Sequence, residues 1–365
     1  MRTFFAHGSF HSINMKRFAF AVLLPMMLGG CAHLSYYLQS VGGQLEIMNR
    51  EKPIELLLQD DQLDTRLRDK LQLTQRIREF AIHELALPNN KSYRGYADLQ
   101  RPYVVWNVYA TPEFSIKPRT WCFPVAGCVN YRGYFAEADA QAQAKHIAAS
   151  GDDVYVSGVP AYSTLGWFAD PVLNTFIQYP ETELARLLFH ELAHQIVYVQ
   201  DDSVFNESFA TVVEQAGISR WLMQHGSIAQ LEHHAQLQEF RTSIRALIAQ
   251  TRETLSQLYD SQLTDAEKRQ RKAAAFESLK AAYANRKLDK TSFSGYDRWF
   301  AQPLGNAHLA SVAMYTQYVP AFEALLAQHA GNLPNFYAAV RTLAGLPAHQ
   351  RNEQLDRLTP RPKPQ

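Results

Sequence analysis

The chain has 365 residues, 47% of them hydrophobic and 19% charged, a balance that excludes global disorder. Its 36 Lys and Arg against 35 Asp and Glu leave a net charge of +1, so no basic excess exists to drive nucleic-acid binding. Three cysteines are too few for a disulfide-dense scaffold or a four-thiolate metal site.

The first thirty residues read as an export leader. Lys16 and Arg17 precede an apolar run over 18–28 that is too short to span a bilayer but fits a signal-peptide core. Met15, directly before these charges, is an alternative start that leaves 1–14 outside the leader. The run ends in Leu28-Gly29-Gly30-Cys31, which resembles the lipobox of bacterial lipoproteins. That resemblance implies cleavage before Cys31 and its lipidation. With Ala rather than Asp at position 32 it implies a lipid anchor in the outer membrane, facing the periplasm. In that oxidising compartment Cys122 and Cys128 can pair, with Pro124 and Gly127 supplying the turn. A metal pair is the rival reading, disfavoured because no His or third Cys stands nearby.

Residues 38–50 and 61–87 carry apolar residues at helical spacing, and Pro88-Asn89-Asn90 ends the second run. The texture then changes. Residues 103–109, 115–117, 129–135 and 154–157 read as short strands, with an Ala-rich helix over 137–150. Helix returns from 182. Residues 230–287 are long, charged and nearly free of Gly and Pro, which predicts a helical hairpin broken near 260–265 with a solvated charged face. Further helices are expected over 306–318, 319–330 and 335–343, and a loose Pro-rich tail over 359–365. The expected organisation is a leader over 1–30 and one domain over 31–358 with a helical insertion at about 228–288. The fold class is α+β, predominantly helical, with a small sheet next to the helix that carries the His190 motif.

The His190 motif is His190-Glu191-Leu192-Ala193-His194. Two His four residues apart on a helix lie on one face, one turn apart, and can share one ion. Glu191 points to the same edge, where it can act as general base on a water the ion activates. The chain carries its own control: His83-Glu84-Leu85-Ala86-Leu87 begins with the same letters but lacks the second His. A hydrolytic zinc site needs a third protein ligand. Glu207, separated from His194 by twelve residues, can return on a second antiparallel helix after a turn at Asp201-Asp202-Ser203. Glu214 lies on the same helix face seven residues later and can replace Glu207 or support a ligand, and Asp201 and Asp202 are further rivals. His233 and His234 read as solvated, and His308 as a helix-surface residue.

Asn206-Glu207 opening a helix after His-Glu-x-x-His resembles the gluzincin metallopeptidases, in which that Glu is the third ligand. The spacing here is shorter than in thermolysin-like members. More widely, the chain resembles a bacterial family of zinc aminopeptidases, many of them lipoproteins. The likeness rests on 35–40 (Ser-Tyr-Tyr-Leu-Gln-Ser), 122–128, 131–135, 162–168, the His190 motif and Val319-Pro320-Ala321-Phe322. It implies a gluzincin-like fold, a Zn²⁺ cofactor and a peptide substrate. It also implies an edge strand within 154–164 that adds the substrate backbone to the sheet, with Thr164 and Gly166 as substrate-binding residues; a plain core strand is the alternative. Tyr315 is a candidate to stabilise the oxyanion, or else a packed aromatic. Glu214, Glu137 and Asp170 are candidates for binding a substrate ammonium. The activity expected is an aminopeptidase. An endopeptidase acting on unfolded envelope proteins and a non-catalytic peptide-binding lipoprotein are the alternatives.

Overall fold

The computed structural model describes residues 35–123, 127–288, 293 and 295–359. The leader, Cys31, residues 124–126, to which Pro124 and its expected turn belong, and the tail from 360 lie outside the described residues. Two compact units make up the chain, 1–46 and 47–365. In the first, residues 35–46 are helical; this helix, α1, ends at residue 50. The remaining elements belong to the second unit.

The protein is mostly helical with small sheets, an α+β architecture. β1 (Lys52–Pro53), α2 (Ile54–Leu58) and α3 (Thr65–His83) come first. Asp64 starts α3 by accepting a hydrogen bond from the Leu67 amide, satisfying a donor the helix itself leaves open. β2 (Gly95–Ala97), β3 (Val105–Thr111), β4 (Trp121–Phe123), β5 (Gly127–Val129) and β6 (Arg132–Tyr134) follow. The region closes with α4 (Glu137–Ala148), β7 (Asp153–Val159), β8 (Val172–Leu173) and α5 (Asn174–Ile177). The strands form a mixed sheet in the order β1-β2-β8, an antiparallel sheet in the order β6-β3-β7, and the hairpin β4-β5. β3 is buried along its whole length: it lies between β6 and β7, and α4 packs against it. β7 pairs with β3 over seven residues, and its other edge meets no strand among the described residues.

The expected strand at 115–117 is absent. Those residues sit in a turn, where the Ser115 amide donates to the Pro112 carbonyl and the Ser115 hydroxyl accepts from the Lys117 amide. The expected strand over 129–135 is two strands, β5 and β6, that belong to different sheets. Cys122 and Cys128 face each other across β4-β5 and are joined as a disulfide.

α6 (Glu181–Ala193) and α7 (Ser203–His225) carry the motif and pack closely against each other. Their contact buries Leu188, Phe189, Val212 and Val213, which are at most 2% exposed. Gly217 on α7 sits directly against the Phe189 ring. α8 (Ile228–Asp260) and α9 (Asp265–Lys287) form the long helical hairpin, each started by a capping box, Ser227 with Gln230 and Thr264 with Glu267. The hairpin has its own apolar core, including Phe240, Ile244, Phe276 and Tyr283. α10 (Asp297–Phe300), α11 (Asn306–Thr316), α12 (Val319–Gln328), α13 (Leu333–Ala344) and α14 (Ala348–Leu358) complete the chain. α12 and α13 deliver Phe322 and Phe336 to the main core, where they meet Phe205 and Phe209 of α7.

His308 departs from expectation. It is 4% exposed, stacks on Tyr155 at 4.1 Å between ring centroids, and its Nδ1 accepts from the Gly305 amide. α11 carries no charged residue and is enclosed on most sides, so no solvent-facing stripe is left for His308.

Candidate metal centre

His190 lies in the last turn of α6 and His194 is its C-cap, still in helical conformation. The side chains therefore meet one turn apart, with 3.2 Å between their Nε2 atoms. α7 returns antiparallel after a short connector. Asp202 accepts from the Phe205 amide to start α7, and Arg351 of α14 clamps the same carboxylate through Nε and Nη2 at 3.0 and 2.7 Å. Asn206 bonds both the amide and the carbonyl of Val199, each at 2.8 Å, which locks the connector onto the first turn. The next residue, Glu207, is thereby aimed at the histidines. Its Oε2 stands 3.1 Å from His190 Nε2 and 3.7 Å from His194 Nε2.

These three residues form a group that can hold a metal ion. Their donor atoms are 3.1, 3.2 and 3.7 Å apart. A tetrahedral ion with bonds of about 2.0–2.1 Å sets its ligands about 3.3–3.4 Å apart, so the donor set fits with small adjustments. The field fits as well. Burial pulls the His190 imidazole down, but its hydrogen bonds to Glu207 and Glu214 more than reverse this, and its pKa is raised to about 10. The two carboxylates thus hold positive charge at the point where a cation would sit. Burial also works against ionising Glu207, yet the neighbouring His194 and His190 keep it below the usual carboxylate range. His194, buried and with its Nδ1 unpartnered among the described residues, is lowered to about 4.

Glu214 does not join the donors. It lies on the far side of His190, with Oε2 3.0 Å from Nδ1. Arg186 bonds the same oxygen at 3.0 Å. Against the cost of burial, Arg186 and His190 hold the Glu214 carboxyl near 2, so it is an ionised acceptor. An ionised carboxylate can only accept, so Nδ1 keeps its proton toward Glu214, and a cation would take the place of the proton on Nε2, which faces Glu207. Asp201 and Asp202 are also spoken for, by the Cys128 amide and by Arg351. Glu191, one residue after His190, is raised to about 7, chiefly by burial, with Glu207, Asp170 and Glu214 adding to the effect and His190 opposing it.

Tyr315 lies beside this group, its ring 6.2 Å from that of His190. Thr211, one turn beyond Glu207, donates its hydroxyl to the Tyr315 carbonyl and so ties α11 to α7. Two more phenols, to which the sequence reading gave no role at the site, share the environment. Tyr131, just before β6, Tyr109 on β3 and Tyr155 on β7 form a row, with ring spacings of 5.8 and 5.9 Å. Burial and the nearby Glu207 push the hydroxyls of Tyr109, Tyr131 and Tyr315 above the usual phenol range, so all three remain protonated donors. The only sequence signal was the alternation that puts Tyr109 on one face of its strand. Tyr93 is a further surprise. It is 1% exposed, has a positive φ of 62°, and its hydroxyl has no partner among the described residues. It feels the charges of Glu191 and Asp170.

The segment over 160–170 meets the His190–His194 region differently from Glu207. Thr164 turns inward and donates its hydroxyl to Asp170 Oδ1 at 2.7 Å, while its amide bonds the same carboxylate. Gln195, next to His194, reaches Asp170 Oδ2 at 3.5 Å. Leu165 and Gly166 take positive φ in the turn that follows. Thr164 and Gly166 thus shape a loop fastened to Gln195 at the end of α6, with Trp167 and Phe168 exposed at its tip. Of the carboxylates considered for a substrate amine, Glu214 is engaged by Arg186, Asp170 is engaged by the loop, and Glu137 is exposed in the first turn of α4.

Fold and site together define a class: a mostly helical α+β protein with a two-histidine, one-carboxylate group and a glutamate beside it. The chain belongs to the family described as "Putative aminopeptidase", whose model matches residues 35–355. That membership supports a peptidase. Among curated proteins and solved structures nothing matches the chain.

Proposed function

We propose that the protein is a zinc-dependent aminopeptidase of gluzincin-like type, with His190, His194 and Glu207 holding the ion and Glu191 as general base. The observation that carries this reading is the convergence of the three donor atoms within 4.8 Å of one another, with Glu191 on the adjacent position of the same helix. Zinc, when bound, supplies a Lewis acid that polarises the scissile carbonyl and acidifies a water. Glu191 takes the proton of the attacking water and returns it to the leaving amine, a role suited to a carboxyl raised to about 7. Glu214 holds the His190 ring in orientation and tautomer. Tyr315, a protonated donor at the rim of the donor group, stabilises the developing oxyanion. The free edge of β7 receives the substrate backbone as an added strand. The leader motif supports export, lipidation of Cys31 and a site facing the periplasm from the outer membrane.

The test offers one peptide mixture in free and N-acetylated forms to the zinc-loaded protein, with Glu191→Gln as control and products read by mass. Stepwise loss from free N-termini alone, abolished in Glu191→Gln while metal stays bound, is the expected result. Internal cuts in both forms would make it an endopeptidase, and full activity in Glu191→Gln would remove the mechanism.

A further inference from the structure

The metal helix carries a second set of charged residues behind the donors. Glu183, Arg186 and His190 fall at positions i, i+3 and i+7 on α6, so they line one stripe. Arg186 is forked between two carboxylates: Nη1 meets Glu214 Oε2 at 3.0 Å and Nε meets Glu183 Oε2 at 2.8 Å. The other oxygen of Glu183 accepts from Arg241 Nη2 at 3.0 Å. Arg241 belongs to α8, the first arm of the helical hairpin. Every link is within hydrogen-bond distance, and the chain ends on Nδ1 of a donor histidine.

We propose that Arg241, Glu183 and Arg186 are positioning residues for His190, and that through them the docked helical hairpin sets the affinity of the metal centre. The inference rests on the metal reading proposed for this site. Its physical basis is the burial of Glu214, which is 6% exposed and lies in the field of Glu207. A carboxylate buried next to a like charge needs a close cation, and Arg186 is that cation. Arg186 in turn is fixed in rotamer by Glu183, and Glu183 by Arg241. Loosening the outer links lets Arg186 swing away, and Glu214 then ceases to be a fixed acceptor for the His190 Nδ1–H. The hairpin thereby becomes a lever: a partner or substrate that shifts α8 relative to α6 changes the metal site without touching it.

The test compares wild type with Glu214→Gln, Arg186→Gln, Arg241→Gln and Arg241→Lys in the full chain. Zinc affinity is read by competition with a chromophoric chelator, the visible spectrum is read with cobalt in place of zinc, and thermal unfolding is read without metal. Expected losses are about 10- to 100-fold for Glu214→Gln and Arg186→Gln, the range typical of groups that orient a metal ligand. A smaller loss is expected for Arg241→Gln, with Arg241→Lys closer to wild type. Arg241→Gln removes a partly exposed contact outside the main core, so it keeps the test open if the inner variants misfold. Wild-type zinc affinity in every variant, with only the metal-free unfolding temperature lowered, overturns the relay and leaves the metal reading intact. A wild-type chain that takes up no metal overturns both.

Discussion

Gly217→Ala tests whether the α6–α7 contact sets the geometry of the donor group. A Cβ at Gly217 would stand 2.6 Å from Phe189 Cδ2 and 2.8 Å from Leu85 Cδ1. Ordinary carbon contacts lie at about 3.5–4.0 Å, so the neighbours must retreat by about 1 Å. Neither can do so freely, since Phe189 and Leu85 are both 0% exposed and Phe189 also packs on Phe80 at 5.9 Å. Overfilling a packed core costs about 1–3 kcal/mol, and replacing Gly by Ala in a helix returns about 1 kcal/mol. With two contacts this short the core cost falls in the upper half of its range, and the net loss is about 1–2 kcal/mol. Phe189 precedes His190, so a shift of α6 that relieves the overlap also moves its histidines relative to Glu207. Urea unfolding with unchanged m, together with chelator competition for zinc, measures both effects. A variant as stable as wild type, with equal zinc affinity, would show that the two helices are not held at closest approach here.

Tyr315→Phe should lower kcat by about 100-fold while leaving metal affinity unchanged, since the ring stays packed and only the donor is lost; kcat within twofold of wild type would return Tyr315 to a packing role. Replacing Cys122 and Cys128 by Ser should cost about 2 kcal/mol, as expected for a small closed loop, read as a lower denaturant midpoint at constant m; an unchanged midpoint would mean the hairpin is held by its other contacts. His308 gives an acid-sensitive term: burial lowers it to about 4, so below about pH 6.5 the unfolded chain takes up a proton that the folded chain refuses. Stability should therefore fall from about pH 6.5 to about pH 4, by up to about 3 kcal/mol, and His308→Phe should flatten that slope. An identical slope in the variant would locate the acid sensitivity elsewhere.

The parts of the site legible in the sequence were those fixed by short spacing. His190, Glu191 and His194 need only one helix, and Glu207 needs only that helix, a turn and the next one. The helical hairpin was legible for the same reason, as two uninterrupted helical patterns around 260–265. The phenols were not. Tyr109 comes from a strand and Tyr131 from the residue before one, both far from the motif, and although 131–135 carries part of the family likeness, nothing local points either phenol at the histidines. Glu183 and Arg186 were hidden by a different ambiguity, because an acid and a base three apart on a helix read as a solvated pair. His308 carried a signal in its surroundings: a stretch from Ala307 to Met314 with no charged residue leaves a helix no wet face. The two-residue strands β1 and β8 are set by long-range pairing to β2 and had no periodicity to show.

In α6 the stripe that ends in His190 and His194 begins with Glu183 and Arg186, so donor geometry and charge compensation are built on one rigid element. The facing stripe of α7 repeats the arrangement, with Glu207 on the Nε2 side of His190 and Glu214 seven residues on, on its Nδ1 side. The imidazole is thus held between two carboxylates from one helix, one facing its Nε2 and one facing its Nδ1. A rotation of α7 that improved one contact would spoil the other, because both carboxylates turn together. Close packing of α6 on α7 at Gly217, the Asn206 lock on the connector and the Arg351 clamp on Asp202 all oppose such a rotation. That is why residues as remote as α14 bear on the donor group, and why the site tolerates exposure of its loop at Trp167 while its helices admit almost no slack.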